Sequence, residues 1–153
     1  MKRFICILLT MAIGLFTLVG CGGKDKDITI DISALAGDLT SKIEFQDDLT
    51  KIEGNSVESI YQIDYAVSSE VYVSSGATAE EVAVFELKDE KEADNAYKAA
   101  EERIDAQKQA FESYVPEEME KLDNAVVKKI GKYVIVCVAN DNTSEDIIVT
   151  YTD

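Results

Sequence analysis

The longest regular pattern in the chain lies between Asp89 and Pro116, where the less polar positions recur at alternating spacings of four and three residues. Such spacing places them on one face of a helix. Asp89 and Glu92 have the spacing of a capping box, and the residue before Pro116 is restricted from helical geometry. The pattern predicts a helix over 90–114, roughly 37 Å long, followed by a short helix from Pro116 to Leu122. The repeating positions are Ala93, Tyr97, Ala100, Ile104, Gln107, Phe111 and Tyr114.

Short runs of β-branched and apolar residues on both sides of this helix predict two hairpins. Residues 71–73 and 79–87 are separated by a turn of serine and glycine. Residues 125–130 and 133–139 are joined by Gly131-Lys132, whose leading glycine suits a type II′ turn. The sequence therefore predicts about four antiparallel strands.

Two shorter helices are predicted before the first hairpin. Apolar residues recur at helical spacing over 33–43, after Ser33 as a plausible N-cap. A second helix begins after a cap at Asn55 or Ser56 and ends near Asp64.

The C-terminal segment 147–151 suits either an edge strand or a helix capped by Ser144, and its β-branched residues slightly favour the strand. The order of helix, helix, hairpin, long helix and hairpin predicts a two-layer α+β domain over 28–153. In it, an antiparallel sheet buries one face under the long helix.

The first 21 residues resemble the signal of a bacterial lipoprotein. Lys2 and Arg3 precede an apolar stretch over 4–17, which is shorter than the roughly 20 residues that span a membrane. The segment ends in the lipobox-like Leu18-Val19-Gly20-Cys21. The alternative is a plain secretory signal or a short anchor in which the cysteine is incidental.

On the lipoprotein interpretation, residues 1–20 are removed and Cys21 carries a diacylglycerol and, in some bacteria, a further chain such as palmitate. Two chains suffice for stable attachment. Residues 21–27 then form a flexible tether. The expected location is the extracytoplasmic face of the cell membrane, and the expected membrane contact is the lipid anchor.

The negative charge of the chain limits the possible partners. Loss of Lys2 and Arg3 with the signal changes the net charge from -15 to -17. This charge repels phosphate backbones and excludes nucleic acid as a partner.

The cysteine content excludes a disulfide framework. Cys6 lies in the signal and Cys21 is the acylated residue, so Cys137 is left alone in an apolar run. We expect no internal disulfide and a buried, unreactive thiol.

The sequence offers no recognisable catalytic group. It contains no histidine, no glycine-rich phosphate loop and no cysteine pair for zinc or redox chemistry. We interpret Glu80-Glu81, the acidic residues of 89–94 and Glu117-Glu118 as solvated strand ends and helix starts. The prediction is a protein that is not an enzyme and has no cofactor.

Weak candidates for binding remain. An oxygen-rich loop could bind calcium through Asp141, Asn142, Glu145 and Asp146, although it lacks the EF-hand pattern, and a polar turn is the alternative. Four tyrosines combine apolar area with a polar group, as interfaces favour, or simply cover the sheet: Tyr61, Tyr65, Tyr72 and Tyr133. We expect Gln107 and Tyr114 to be hydrogen-bonded near the core.

Several features together resemble a family of small lipoproteins of clostridia and related Gram-positive bacteria, whose shared domain has unknown function. They are the run 79–85, Gln107 with Phe111-Glu112-Ser113-Tyr114, and Gly131-Lys132-Tyr133-Val134, and the likeness covers about 33–139. The resemblance implies a location on the outer face of the membrane and no catalytic residue or cofactor.

These observations favour a non-catalytic interaction domain that binds an envelope protein or a cell-wall component through the exposed sheet face or a loop end. One alternative is an accessory lipoprotein that binds a small ligand or calcium for a transporter. The least favoured is a hydrolase, which would need two convergent, buried carboxylates.

Overall fold

A five-stranded antiparallel sheet forms the centre of the computed structural model, which describes residues 28–152. Two strands form each predicted hairpin, so the α+β class and both hairpins are confirmed. In chain order the elements are α1 (Ile32–Lys42), β1 (Thr50–Ile52), α2 (Asn55–Tyr61), β2 (Ser68–Val73), β3 (Glu81–Glu86), α3 (Glu90–Tyr114), a 3₁₀ turn (Pro116–Glu118), α4 (Met119–Asp123), β4 (Val126–Ile130), β5 (Tyr133–Val138) and α5 (Thr143–Val149).

The strands are ordered β1-β2-β3-β5-β4. Val71 of β2 pairs with Ala83 of β3, which pairs in turn with Val136 of β5. Gly131 has a φ of 55° and Lys132 lies outside the positive-φ region, as a type II′ turn requires. The edge strand β1 was not predicted, because its three residues are mostly exposed and have no apolar alternation.

Helices cover both faces of the sheet, so the expectation of two layers with one exposed sheet face is wrong. Ala83 and Phe85 belong to a core shared with α2 and α3. Val82 and Val84 belong to a second core with α1 and α5. The continuous apolar runs of β3 and β5 explain the difference, because a strand buried on both faces has no polar alternation.

The long helix has the predicted bounds, and the Asp89 side chain accepts a hydrogen bond from the Glu92 N–H at 2.9 Å. The start of α1 differs from the prediction. Asp31, not Ser33, is the N-cap, and its carboxylate accepts from the N–H groups of Ser33 and Ala34. Aspartate and serine both cap helices well. Asp31 is the N-cap because its carboxylate reaches the N–H groups of the first helical turn that have no partner within the helix.

Both ends of helix α2 also differ from the prediction. Helix α2 follows Gly54, so neither Asn55 nor Ser56 caps it, and it ends at Tyr61 because Gln62 adopts the left-handed conformation.

The C-terminal segment is helix α5, so the slight preference for a strand is wrong. Its N-cap position is Asn142, without a side-chain bond, and the predicted cap Ser144 is a buried residue inside the helix. The helical form allows Ile147 and Ile148 to pack in the second core.

The signal, the lipobox Leu18–Cys21 and the tether lie outside the described residues. Between residues 28 and 152, no helix is both long enough and apolar enough to cross a membrane.

Candidate functional site

Two adjacent glutamates at the start of β3 are fully buried. Glu80 is 1% exposed and Glu81 is 0% exposed. Their interpretation as solvated charges is therefore wrong, and the same holds for the buried Glu118. Carboxylates are buried only where hydrogen bonds and opposite charges replace water. Glu80 and Glu81 each have such partners, and they belong to two different hydrogen-bond networks.

Glu81 is held by three side chains from two helices. The Tyr61 hydroxyl donates to Oε1, Arg103 Nη2 donates to Oε2 at 2.8 Å, and Gln107 Nε2 donates to Oε2 at 3.2 Å. Arg103 and Gln107 lie one turn apart on α3, so both reach the same carboxylate. Burial, followed by the charge of Glu81, raises the pKa of Tyr61 well above its usual value, which keeps the phenol a neutral donor.

Two buried polar atoms of this network have no hydrogen-bond partner. They are the Nε of Arg103 and the Oε1 of Gln107, and no other buried side-chain nitrogen or oxygen in residues 28–152 is without a partner. Gln107 is 6% exposed. An unsatisfied buried donor or acceptor costs about 1–3 kcal/mol, so such atoms call for an explanation.

Both side chains line a cleft of about 320 Å³ between α3 and the β2–β3 turn. One wall is apolar, with Ile60 from α2 and Phe111 from α3. The opposite wall is the turn that contains Ser74, Ser75 and Gly76. A concave, largely apolar site with a few polar groups at its base is the usual form of a ligand site.

Glu80 belongs to a buried cluster with Lys121 and Glu118. The Lys121 ammonium lies 3.1 Å from Glu80 and 3.0 Å from Glu118, and it also donates to Gln46 Oε1 at 3.1 Å. Glu118 also accepts from the N–H of Ala79 at 2.8 Å. The cluster joins α4 to the start of β3.

Further donors hold Glu80 in its ionised form. Its carboxylate accepts from the N–H groups of Gln46 and Asp47 and from the Thr78 hydroxyl. Burial alone would raise the pKa of Glu80, but the bonds from Gln46, Asp47 and Lys121 outweigh it and lower the pKa below its usual value. A carboxylate held this way is a poor proton donor and serves to fix the surrounding loops.

The four candidate tyrosines are not brought together. Tyr61 is buried in the core under α3, and Tyr65 packs at the edge of that core. Tyr133 is buried in the core under α1, and Tyr72 packs at its edge. Tyr61 is the only one of the four that contacts the Glu81 network.

The calcium candidates lie around the start of α5 and are exposed. The Asp141 carboxylate accepts from the Thr143 N–H, and Glu145 pairs with Lys128 at 2.9 Å. Over the described range 28–152, no three or more histidine, cysteine, aspartate or glutamate side chains are grouped to hold a metal ion. Asn142 and Asp146 complete the candidate set, and the side chain of neither forms a hydrogen bond or an ion pair with another of residues 28–152.

Three other expectations have clear outcomes. Cys137 is buried, and burial raises its pKa to about 12, which suits an unreactive thiol. Gln107 is hydrogen-bonded in the core, as expected. Tyr114 is 76% exposed, so its expected place near the core is wrong, and the last three residues of α3, 112–114, are all exposed.

The sequence matches one family model, described as a domain of unknown function (DUF4358), over residues 41–139. The chain therefore belongs to this family. The matched range contains the cleft, the Glu81 network and the Glu80 cluster. No curated protein and no solved structure matches the chain.

Proposed function

We propose that this DUF4358 protein is a lipid-anchored protein of the extracytoplasmic membrane face, and that its domain binds a partner without catalysing a reaction. The partner is an envelope protein or a cell-wall component. The observation that supports the proposal is the cleft between α3 and the β2–β3 turn, whose lining includes Arg103 and Gln107 beside the buried Glu81.

The cleft replaces the sheet face as the proposed binding surface. Helices cover both faces of the sheet within residues 28–152, so neither face is open for a partner to dock. The cleft is a concave surface whose apolar and polar groups lie side by side, and its turn wall is tied in place by hydrogen bonds from Ser75 to Asp47. A preformed site loses little conformational freedom on binding.

The buried carboxylates favour binding over hydrolysis. Glu80 and Glu118 are compensated by Lys121, and Glu81 by Arg103. A general acid needs a raised pKa, whereas the pKa of Glu80 is lowered. These carboxylates stabilise the fold through ion pairs and hydrogen bonds.

The anchor rests on the sequence Leu18–Cys21 and can be tested directly. We expect mass spectrometry of the protein from membranes to find a mature chain that begins at an acylated Cys21. Cys21→Ser should release the protein from the membrane fraction or leave its signal unprocessed, whereas Cys6→Ser, in the signal itself, should not. An unmodified amino terminus, or wild-type protein in the cytosol, would refute the anchor.

The binding role can be tested separately by a photo-crosslinking residue at Ala110, an exposed position that lines the cleft. We expect adducts with a defined envelope component in cells. The same group at Lys98, an exposed position of α3 that does not line the cleft, is the matched control. Equal adducts from both positions, or none from Ala110, would contradict a binding role for the cleft.

A further inference from the structure

Strand β4 lies at one edge of the sheet and has β5 as its neighbour on one side only. An edge strand presents unpaired N–H and C=O groups that another chain can use. We propose that β4 binds an extended segment of an envelope protein as an additional antiparallel strand, and that this segment carries an apolar and a basic residue on the side of α3. The edge of β4 is separate from the cleft, so the inference goes beyond the role proposed for the cleft.

The pairing of β5 shows which backbone groups of β4 point outward. The C=O of Lys132 accepts from the N–H of Leu87, directly after β3, so every second residue from Lys132 directs its backbone groups towards β3. The residues between them bond to β4 instead, and their partners there are Ile130, Lys128 and Val126. The N–H and C=O groups of Val127 and Lys129 therefore point away from the sheet, and no turn or loop of residues 28–152 bonds to them.

The two lysines of β4 leave this edge open. Lysines on an edge strand commonly prevent pairing with another chain. Here Lys128 pairs with Glu145 of α5 at 2.9 Å, and Lys129 pairs with Asp94 of α3. Helices α5 and α3 cover opposite faces of the sheet. Both ammonium groups are therefore held over the faces of the sheet and not across its edge.

Two open hollows on the α3 side of β4 can receive side chains of the added strand. Their volumes are about 470 and 440 Å³, and Tyr97 and Val127 line both. The second hollow also contains Ile104 and Leu122. Alternate side chains of a strand point to one face, so every second residue of the segment faces these hollows. A residue paired with Val127 meets apolar groups, and an apolar side chain is favoured there.

The second hollow favours a basic residue beside the apolar one. Glu101 and Asp105 line it one helical turn apart, and neither forms an ion pair within residues 28–152. Lys108, in the same lining, is already paired with Asp123 at 3.0 Å. A residue opposite Ala125 faces this hollow. Lysine or arginine at that position complements the two carboxylates, whereas an acidic residue is repelled.

Amide hydrogen exchange of the full-length protein, isotope-labelled and purified from membranes in detergent, tests the inference by NMR. The probe is the peptide acetyl-Val-Thr-Val-Thr-Lys-Thr-amide, whose second valine and lysine would lie opposite Val127 and Ala125. In the free protein we expect the amides of Val127 and Lys129 to exchange faster than those of Val126 and Lys128, which bond to β5. Peptide at about four times its Kd should slow the exchange of Val127 and Lys129 about five-fold.

Two peptide analogues separate backbone pairing from charge. N-methylation of both valines removes the N–H groups that would pair with β4, and should abolish the protection. Replacement of the peptide lysine by glutamate should weaken binding about five-fold. Asp105→Lys, at an exposed position of α3, should reverse the preference between the lysine peptide and the glutamate peptide.

A proline substitution tests the edge itself. Lys129→Pro removes an outward N–H and keeps the bonds between β4 and β5, because proline is tolerated where the N–H of an edge strand faces away from the sheet. We expect the peptide to lose its effect on Val127. Lys51→Pro, on the other edge strand β1, is the matched control and should leave peptide binding unchanged. Circular dichroism confirms that each variant folds, and the charge reversal at Asp105 tests binding without altering the backbone.

The outcomes separate this inference from the proposed function. Strand addition is overturned by slow exchange of Val127 and Lys129 in the free protein, by no protection from the peptide, or by equal binding of the N-methylated peptide. Equal binding of the lysine and glutamate peptides overturns the preference for a basic segment. Protection confined to residues of the cleft also overturns strand addition, although the binding role of the cleft survives. Protection of the β4 edge without Ala110 adducts in cells supports strand addition and contradicts the role of the cleft.

Discussion

Glu80 and Glu81 are neighbours in the chain, but their carboxylates are anchored to different parts of the molecule. Glu80 is bound by Lys121 of α4 and by the N–H groups of Gln46 and Asp47. Glu81 is bound by α2 and α3. Successive side chains of an extended segment point in opposite directions, so one dipeptide can serve two networks. The start of β3 is thereby hydrogen-bonded to α2, α3 and α4 and to the loop that contains Gln46 and Asp47.

We expect Lys121→Met to lower the free energy of unfolding by about 3–5 kcal/mol. The substitution keeps the side-chain length and leaves Glu80 and Glu118 buried without their shared cation. Urea denaturation followed by circular dichroism measures the change. Lys98→Met, at an exposed position of α3, is the matched control and should change stability by less than about 0.5 kcal/mol. Equal, small effects would show that the buried cluster adds nothing.

We expect Glu80 to make stability depend on pH in the acidic range. Its pKa in the folded protein is lowered from 4.5, so the unfolded chain binds more protons as the pH falls. The stability from Glu80 is fully present above about pH 4.5 and is lost as the pH falls towards the lower folded pKa. Glu80→Gln should therefore flatten the dependence between about pH 5 and 3.

Urea midpoints at a series of pH values measure this dependence. Glu58→Gln, at an exposed position, is the control. It shows how much of the change in the pH dependence of stability comes from removing one negative charge from an acidic chain. If the two variants follow the same curve, Glu80 does not contribute the expected linkage.

We expect Cys137 to resist thiol reagents in the native protein. Burial raises its pKa to about 12, so almost none of it is thiolate at pH 8, and the thiolate is the reactive form. In the proposed mature protein Cys21 is acylated and Cys6 has been removed, which leaves one free thiol. Ellman's reagent should detect none in the native state and one in denaturant. Rapid reaction of the native protein would contradict the burial.

We expect opposite effects from two glycine-to-alanine substitutions. Gly131 has a φ of 55° in the β4–β5 turn, a conformation that costs alanine about 1 kcal/mol or more. Gly37 is exposed within α1, and an added Cβ would meet nothing within 4 Å. Gly37→Ala should stabilise the protein by about 0.5–1 kcal/mol. Thermal unfolding measures the change in melting temperature of each variant, and each variant serves as the control for the other. Equal shifts would contradict the turn assignment.

The sequence was sufficient for elements that depend on local patterns. The four-and-three spacing of α3, with Asp89 before it and Pro116 after it, predicts the helix to the residue. The Gly131-Lys132 turn predicts the second hairpin. Neither edge strand β1 nor helix α5 has a decisive local pattern in the sequence. Pairing with β2 and packing against α1 determine them.

Most of the candidate site was not predicted. Helical spacing predicts that Gln107 lies near the core, but the sequence pattern indicates solvated positions for Glu80, Glu81 and Glu118, which are buried. One signal was present: Arg103 lies four residues before Gln107 and therefore shares its helix face. A positive charge on that face calls for a buried partner. Which acid supplies it cannot be known from spacing, because Glu81 is 22 residues away in the chain.

The long helix, the two hairpins and the α+β class follow from the sequence, because neighbouring residues set helical periodicity and turn geometry. Three features follow only from the packed chain: helices cover both faces of the sheet, the glutamates of 80–81 are buried, and Arg103 and Gln107 converge on Glu81 beside a cleft. They escape sequence patterns because burial of a charge depends on donors brought from distant segments. Those donors meet only when the chain has folded.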